Sequence, residues 1–340
     1  MLAAVLEENN SCLVIKDVPV PEINDNEVLL KVKACGVCHT DLHYIDHGIK
    51  TFKSPPIILG HEASGIIEKI GPAVDNFKKG DRVLVPAVIT CGSCKFCKTS
   101  RENICLNMQM LGNHINGAYA EYLAVNSKDV QKIPDDLSFE EAALISDALS
   151  TAYHAVFNRA KVEKNSNVVV FGCGGVGISI VQMAVLKGAK VIAIDINNSK
   201  LSLARDFGAT VTIDPEQQNI FEALKKEAST GVDVIFEVVG LSSNFELAMK
   251  LANPGTKICI VGYITEKAKI NCAKLMFYEL DIIGSLGCKP SDLSEIVDMV
   301  RQNKINARKM VSNKYSIDQI NIALDDLRNS RGLRPVITFE

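Results

Sequence analysis

No excess charge of either sign marks this 340-residue sequence: 37 Lys plus Arg stand against 40 Asp plus Glu, a net charge of −3. That balance excludes a basic field for nucleic acid or anionic membrane. A basic leader is missing as well. The opening Met1-Leu-Ala-Ala-Val-Leu-Glu7 meets acid almost at once, which argues against a secretory signal peptide. Long apolar runs are confined to one stretch, Val168 to Leu186, with 19 residues free of formal charge. Four glycines, Ser179 and Gln182 interrupt it, so it reads as strand, turn and helix and not as a membrane span. Internal repeats and low-complexity segments are absent. With 47% hydrophobic and 23% charged residues the chain is not broadly disordered, and its length suffices for two ordinary domains. A soluble cytoplasmic protein is the expectation.

Eleven cysteines are plentiful, but an odd count without a secretory leader speaks against a disulfide framework. Cys91, Cys94, Cys97 and Cys105 crowd one loop, while the other seven are scattered. Residues 1 to about 150 read as short strands broken by turn signals, such as Val28–Val32, Ile57–Leu59, Ile66–Ile70 and Val83–Val85. Such spacing predicts an all-β, barrel-like unit. From there the style changes. Val168–Phe171, Val191–Asp195, Val211–Ile213, Val232–Val239 and Lys257–Val261 are apolar, β-branched runs separated by helical patterns, one of them Ser199–Gly208. That alternation predicts a doubly wound parallel sheet. A helix near residues 291–302 and a short tail are expected to return to the first unit.

Gly172-Cys-Gly174-Gly175-Val176-Gly177 matches G-x-G-x-x-G in its full context. An apolar strand precedes it, helical spacing follows it, and Asp195 ends the next strand 23 residues beyond Gly172. The glycines let backbone N–H groups approach a pyrophosphate at a helix start. Asp195 can accept from an adenosine ribose and repel a 2′-phosphate, which points to NAD over NADP. Lys200 and Val239 are further candidate cofactor contacts, although a solvated helix lysine explains Lys200 as well.

Cys91-x2-Cys94-x2-Cys97-x7-Cys105 reads as a closed tetrahedral zinc site with no position open for chemistry. An iron–sulfur cluster could use similar ligands. A second set is dispersed: Cys38-His39-Thr40-Asp41-Leu42-His43, Gly60-His61-Glu62 and Ser146-Asp147. Singly, each has a plain explanation: Cys38 a small core residue, His61 a satisfied histidine, Asp147 a helix cap, and Cys35-x-x-Cys38 a redox pair.

Together these features resemble the zinc-dependent medium-chain alcohol dehydrogenases (the medium-chain dehydrogenase/reductase superfamily) over essentially the whole chain. The resemblance rests on Gly36-Val-Cys38-His-Thr40-Asp, Gly60-His61-Glu62-Ala-Ser-Gly65, Gly80-Asp81-Arg82-Val83, the four-cysteine loop, Gly117-Ala-Tyr119-Ala-Glu-Tyr122, the nucleotide fingerprint and Gly332-Leu-Arg334-Pro-Val. It implies an α/β plus β architecture: a GroES-like catalytic domain from residues 1–149 with 287–340, and a central NAD-binding Rossmann domain from 150–286. The active site would lie in the cleft between them. Cys38, His61 and Asp147 would bind catalytic zinc, with Glu62 as an adjacent or exchanging ligand, and the four-cysteine loop a second, structural zinc. Thr40 and His43 would relay the proton while NAD takes a hydride. Arg334 would pair with pyrophosphate, unless it is a surface arginine. Asp147 departs from the cysteine that many members carry. It keeps the charge of −1, but as an oxygen ligand it implies a stronger Lewis acid, held less tightly.

The implied partner is a small alcohol or carbonyl substrate, in a homodimer or homotetramer. Segments near Thr40–His47, Leu111–Ile115 and Ser285–Cys288 would line the substrate pocket. Gly112-Asn-His-Ile-Asn-Gly117 keeps a cyclic hydroxyacyl-CoA dehydrogenase open as an alternative, and a zinc-free quinone reductase-like member is another.

Overall fold

The computed structural model describes residues 1–8, 12–287 and 289–340. They form two compact units, Met1–Ser150 with Gly287–Glu340, and Thr151–Leu286. In the first unit, alternation builds the sheets. Along Glu27–Gly36 the Lys31 and Lys33 side chains are half-buried, while Leu30, Val32 and Ala34 are fully buried. This strand is central to a seven-stranded sheet. Its neighbours are Glu62–Ile70 and Arg334–Thr338, flanked by Arg82–Val85 and Val311–Tyr315, and Tyr122–Asn126 also pairs with it. The C-terminal strand pairs antiparallel, Val336 opposite Gly36 and Ile337 opposite Cys35. A three-stranded sheet of Val14–Asp17, Leu2–Leu6 and Ile57–Ile58 shares its core, through Val5, Leu30, Ile57 and Ile67 among others.

The second unit is patterned differently. Asn167–Phe171 is buried at every position, as a strand covered on both faces must be. All its strand pairings are parallel, and the spatial order of its six strands is third, second, first, fourth, fifth, sixth. That is the doubly wound dinucleotide-binding order. The apolar stretch from Val168 resolves into the strand ending at Phe171, a turn, and the helix Gly175–Leu186. Among the described residues no helix is long and apolar enough to cross a membrane.

Two elements differ from expectation. The run Val232–Val239 is a strand only over Val234–Glu237. There the Glu237 carboxylate folds back and accepts the N–H groups of Val239 (3.1 Å), Gly240 (3.0 Å) and Leu241 (3.4 Å), which ends the pairing. A sixth parallel strand, Asp281–Gly284, joins Lys257–Ile260 at the sheet edge. It opens on an acid and its flanks are exposed, so it carries little apolar signal.

Candidate active site

Three segments far apart in sequence bring Cys38, His61, Glu62 and Asp147 together, each offering a ligand atom within 4.8 Å of the others. Cys38 caps the helix His39–Asp46 directly after the central strand. His61 and Glu62 stand at the start of Glu62–Ile70. The neighbouring Ser146 hydroxyl donates to the Ala63 carbonyl at 3.1 Å and so seats Asp147 beside them. Asp147 Oδ2 is 3.8 Å from Cys38 Sγ and 3.7 Å from His61 Nε2. Ligands about 2.0–2.3 Å from a tetrahedral zinc stand roughly 3.3–3.8 Å apart, and both of these separations fall in that range. Both His61 nitrogens lack a hydrogen-bond partner although the ring is buried. Burial opposes charge on His61, yet Asp41, Asp147 and Cys38 draw its pKa well above that of a free imidazole. These groups attract positive charge, and a divalent cation fits them.

Asp147 is not a helix cap. The helical run begins at Ser138, whose hydroxyl accepts the Glu141 N–H at 3.2 Å, and continues as Phe139–Leu144. Asp147 lies further on, within the π-helical turn Ile145–Leu149, a wide turn often found at functional sites. Arg334 is not a surface arginine either. Only 2% exposed, it donates to the Val37 carbonyl (3.2 Å) and pairs with Glu62 across 3.2 Å. Burial opposes its charge, but Glu62, Cys38 and Asp147 keep it firmly protonated.

Sequence reasoning missed a role for Asp41. Fully buried, its carboxylate accepts the Cys38 N–H (3.3 Å) and the Gly60 N–H (3.4 Å) and lies 3.7 Å from His61 Nδ1. The signal was an acid three residues after a helix cap, the spacing of a capping box.

Thr40 places its hydroxyl 3.6 Å from Cys38 Sγ. His43, three residues on, lies against His47 with ring centroids 5.4 Å apart. Burial, and then the charge of His47, hold the His43 pKa below its ordinary value. Segments 40–47 and 111–115 do meet, the Asn113 amide donating to the Tyr44 hydroxyl at 2.7 Å, and beyond the first segment Phe52 stacks on His114 at 4.2 Å. Cys288, expected to line the pocket, lies outside the described residues.

The four-cysteine loop is also assembled. Its Sγ atoms are separated by 3.4 Å (Cys91–Cys105), 3.6 Å (Cys94–Cys97), 3.8 Å (Cys94–Cys105) and 4.0 Å (Cys91–Cys97). Those spacings are too long for disulfides and bracket the edge of about 3.8 Å expected when four sulfurs surround a zinc at 2.3 Å. The Ser93 hydroxyl and the N–H groups of Ser93 and Cys94 bring the Cys91 thiol down to about 5. Lys95 lies over the Phe96 ring.

In the second unit, Gly172 has φ +95°, and a Cβ there would come within 2.7 Å of Val239. A Cβ on Gly177 would strike the Gly172 carbonyl, so the turn and helix close tightly on each other. Gly174 caps the helix without a side chain, and nothing would meet a Cβ there within 4 Å. The helix thus starts at a residue with open space beside it, and a helix start of this kind suits an anion. Asp195 braces this turn by accepting the Cys173 N–H (2.7 Å) and the Asn197 N–H (2.8 Å). Lys200 sits in the first turn of the helix Asn198–Asp206, capped by Asn197.

Residues 24–135 match the alcohol dehydrogenase GroES-like domain, and residues 175–302 match the zinc-binding dehydrogenase domain. An alcohol dehydrogenase of Geobacillus stearothermophilus is 36% identical over 96% of this chain and 95% of its own length. A sorbitol dehydrogenase of Bacillus subtilis is 35% identical over 96% and 93%. The solved alcohol dehydrogenase TADH from Thermus sp. ATN1 superposes with a TM-score of 0.94 at 26% identity, covering 100% of both chains. The chain belongs to the zinc-dependent medium-chain dehydrogenases, with their GroES-like and Rossmann-like folds, and is an oxidoreductase of that family.

Proposed function

We propose that the protein is a zinc-dependent, NAD-linked alcohol dehydrogenase interconverting primary or secondary alcohols with aldehydes or ketones. The observation that carries this reading is the buried donor set, with Asp147 Oδ2 3.8 Å from Cys38 Sγ and 3.7 Å from His61 Nε2. A zinc-free quinone reductase-like enzyme has no use for that convergence. Similarity to alcohol and sorbitol dehydrogenases supports an alcohol as the substrate class.

When bound, zinc supplies a Lewis acid that lowers the pKa of an alcohol, and NAD accepts the hydride. Cys38, His61 and Asp147 hold the metal, and Asp41 orients the His61 ring. Glu62 is an adjacent or exchanging ligand, neutralised meanwhile by Arg334. The Thr40 hydroxyl takes up the alcohol proton and hands it on to His43. Cys91, Cys94, Cys97 and Cys105 hold a second, structural zinc. The N–H groups around Gly172, Gly174, Gly175, Val176 and Gly177 receive pyrophosphate. Asp195 keeps lone pairs for the adenosine ribose, with Lys200 and Val239 alongside. Homo-oligomerisation is supported by the free edge of Asp281–Gly284 and by the exposed Met276 and Phe277 near it in sequence.

Metal analysis with an NAD-reduction screen over primary, secondary, cyclic and polyol alcohols tests the core of the reading. Two zincs per chain are expected. Cys94→Ser should lose stability first, whereas Cys38→Ser and Asp147→Asn should lose one zinc and turnover while keeping the fold. An Asp147→Asn enzyme with two zincs and near-normal activity would remove Asp147 from the ligand set.

Cofactor choice can be tested with Asp195→Ser combined with Ile196→Arg. Ile196 is exposed, so the change spares the Asn197 cap. NAD use should fall by roughly tenfold or more while NADP use appears. A wild type that already prefers NADP would overturn the assignment.

The relay predicts a pH effect with a definite sign. His43 must be neutral to accept a proton, so turnover falls as pH drops through its pKa, which lies below the ordinary value. His47→Gln removes the neighbouring charge, and the acidic limb of the pH–rate profile should move up toward the free-imidazole value of about 6.5. His43→Ala should abolish that limb, and an unchanged profile in both variants would route the proton elsewhere.

Sedimentation at micromolar concentration should show a dimer or tetramer. Asp281→Pro with Ile283→Lys, which blocks the free edge, should shift it toward monomer. A monomeric wild type would refute the oligomer.

A further inference from the structure

Tyr119 is fully buried, and its placement serves the donor set from behind. Its N–H donates to the Leu59 carbonyl (3.0 Å), and its carbonyl accepts the Ala4 N–H (2.8 Å), so the backbone is held on both sides. The ring fills the space next to Gly60. A Cβ on Gly60, whose φ is +88°, would come within 2.6–2.8 Å of three ring atoms. The phenol then donates to Asp41 Oδ2 at 2.7 Å. The same Asp41 oxygen accepts the Cys38 N–H (3.3 Å), and the other oxygen accepts the Gly60 N–H (3.4 Å) and faces His61 Nδ1 (3.7 Å). One carboxylate thus ties the Cys38 helix start to the His61 strand start, and among the described residues Tyr119 is the side-chain hydroxyl that donates to it.

We propose that Tyr119 is a positioning residue for the metal centre: through Asp41 it fixes the separation of Cys38 and His61 and so slows loss of the metal they hold. The proposal rests on the zinc reading above. Without the phenol, the fully buried carboxylate keeps its two backbone donors and the His61 ring it faces, and is freer to rotate away from that ring. Groups that orient metal-bound histidines through a carboxylate change metal affinity by about 10- to 100-fold.

The test is zinc release to a chromogenic chelator from the purified holoprotein, comparing wild type with Tyr119→Phe. Phenylalanine keeps the ring against Gly60, so the fold should be retained. Two release phases are expected, and the four-cysteine loop, which Tyr119 does not touch, provides an internal reference. Tyr119→Phe should accelerate only the phase that Cys38→Ser eliminates, by about 10- to 100-fold, and leave the other unchanged. A merely structural defect would speed both. Asp41→Asn should accelerate the same phase, and the double variant should add little to it, because both residues act through one contact. Release at wild-type rate in Tyr119→Phe, or equal acceleration of both phases, overturns the brace alone. A wild type that holds zinc only in the four-cysteine loop overturns the metal reading together with it.

Discussion

Charge taken out of water is the constraint on which the first unit is organised. Cys38, His61, Glu62, Arg334 and Asp41 are 7%, 1%, 0%, 2% and 0% exposed. An unmatched ion in such surroundings costs several kcal/mol, so each charge needs a local partner. Arg334 matches Glu62, while Tyr119 and two backbone N–H groups serve Asp41. What is left is a thiol and a carboxylate around one imidazole. A divalent cation with thiolate, carboxylate and neutral histidine sums to zero, which is the arrangement that a buried site tolerates.

Precision at this point comes from the sheet. Cys38 follows the central strand, His61 and Glu62 open its antiparallel neighbour, and Arg334 opens the strand on the other side. The Val37 N–H donates to Pro335 and the Val37 carbonyl accepts from Arg334, so the C-terminal strand grips the backbone next to the first ligand. Strand pairing therefore fixes the distances between groups nearly 300 residues apart in sequence, on elements stiffer than loops. The nucleotide turn is built on the same logic. Val239 lies against Gly172 just past the bend that Glu237 makes, and Asp195 reaches back to Cys173.

Features written in short spacings were legible in the sequence. The four cysteines share one loop, and the fingerprint carries its strand, turn and helix within 20 residues or so. The parallel sheet was legible too, because strands buried on both faces are continuously apolar. What stayed hidden depends on contacts through space. Asp41 and Tyr119 stood inside quoted motifs, but only the fold brings the phenol to the carboxylate. Arg334 was expected to meet pyrophosphate or else lie at the surface, and its pairing with Glu62 emerges only when its strand runs beside Gly36. The edge strand Asp281–Gly284 escaped notice because an edge is half-exposed and mixed in character. Glu237 shortened a strand that hydrophobicity alone would have extended to Val239.

The aspartate at position 147 shows how backbone and ligand chemistry adjust to each other. A carboxylate oxygen lies one bond further from its Cα than a cysteine sulfur does, so a helix presenting aspartate must hold its backbone differently from one presenting a thiolate. Here the run that starts regularly at Ser138 widens into a π turn over Ile145–Leu149, with Asp147 at its middle. An added residue in a turn shifts every following side chain around the axis. Ser146, bonded to Ala63, pins the turn to the strand that carries His61 and Glu62. The widened turn and the anchored serine thus set the reach of the carboxylate, and the ligand position depends on helix geometry as much as on the residue that occupies it.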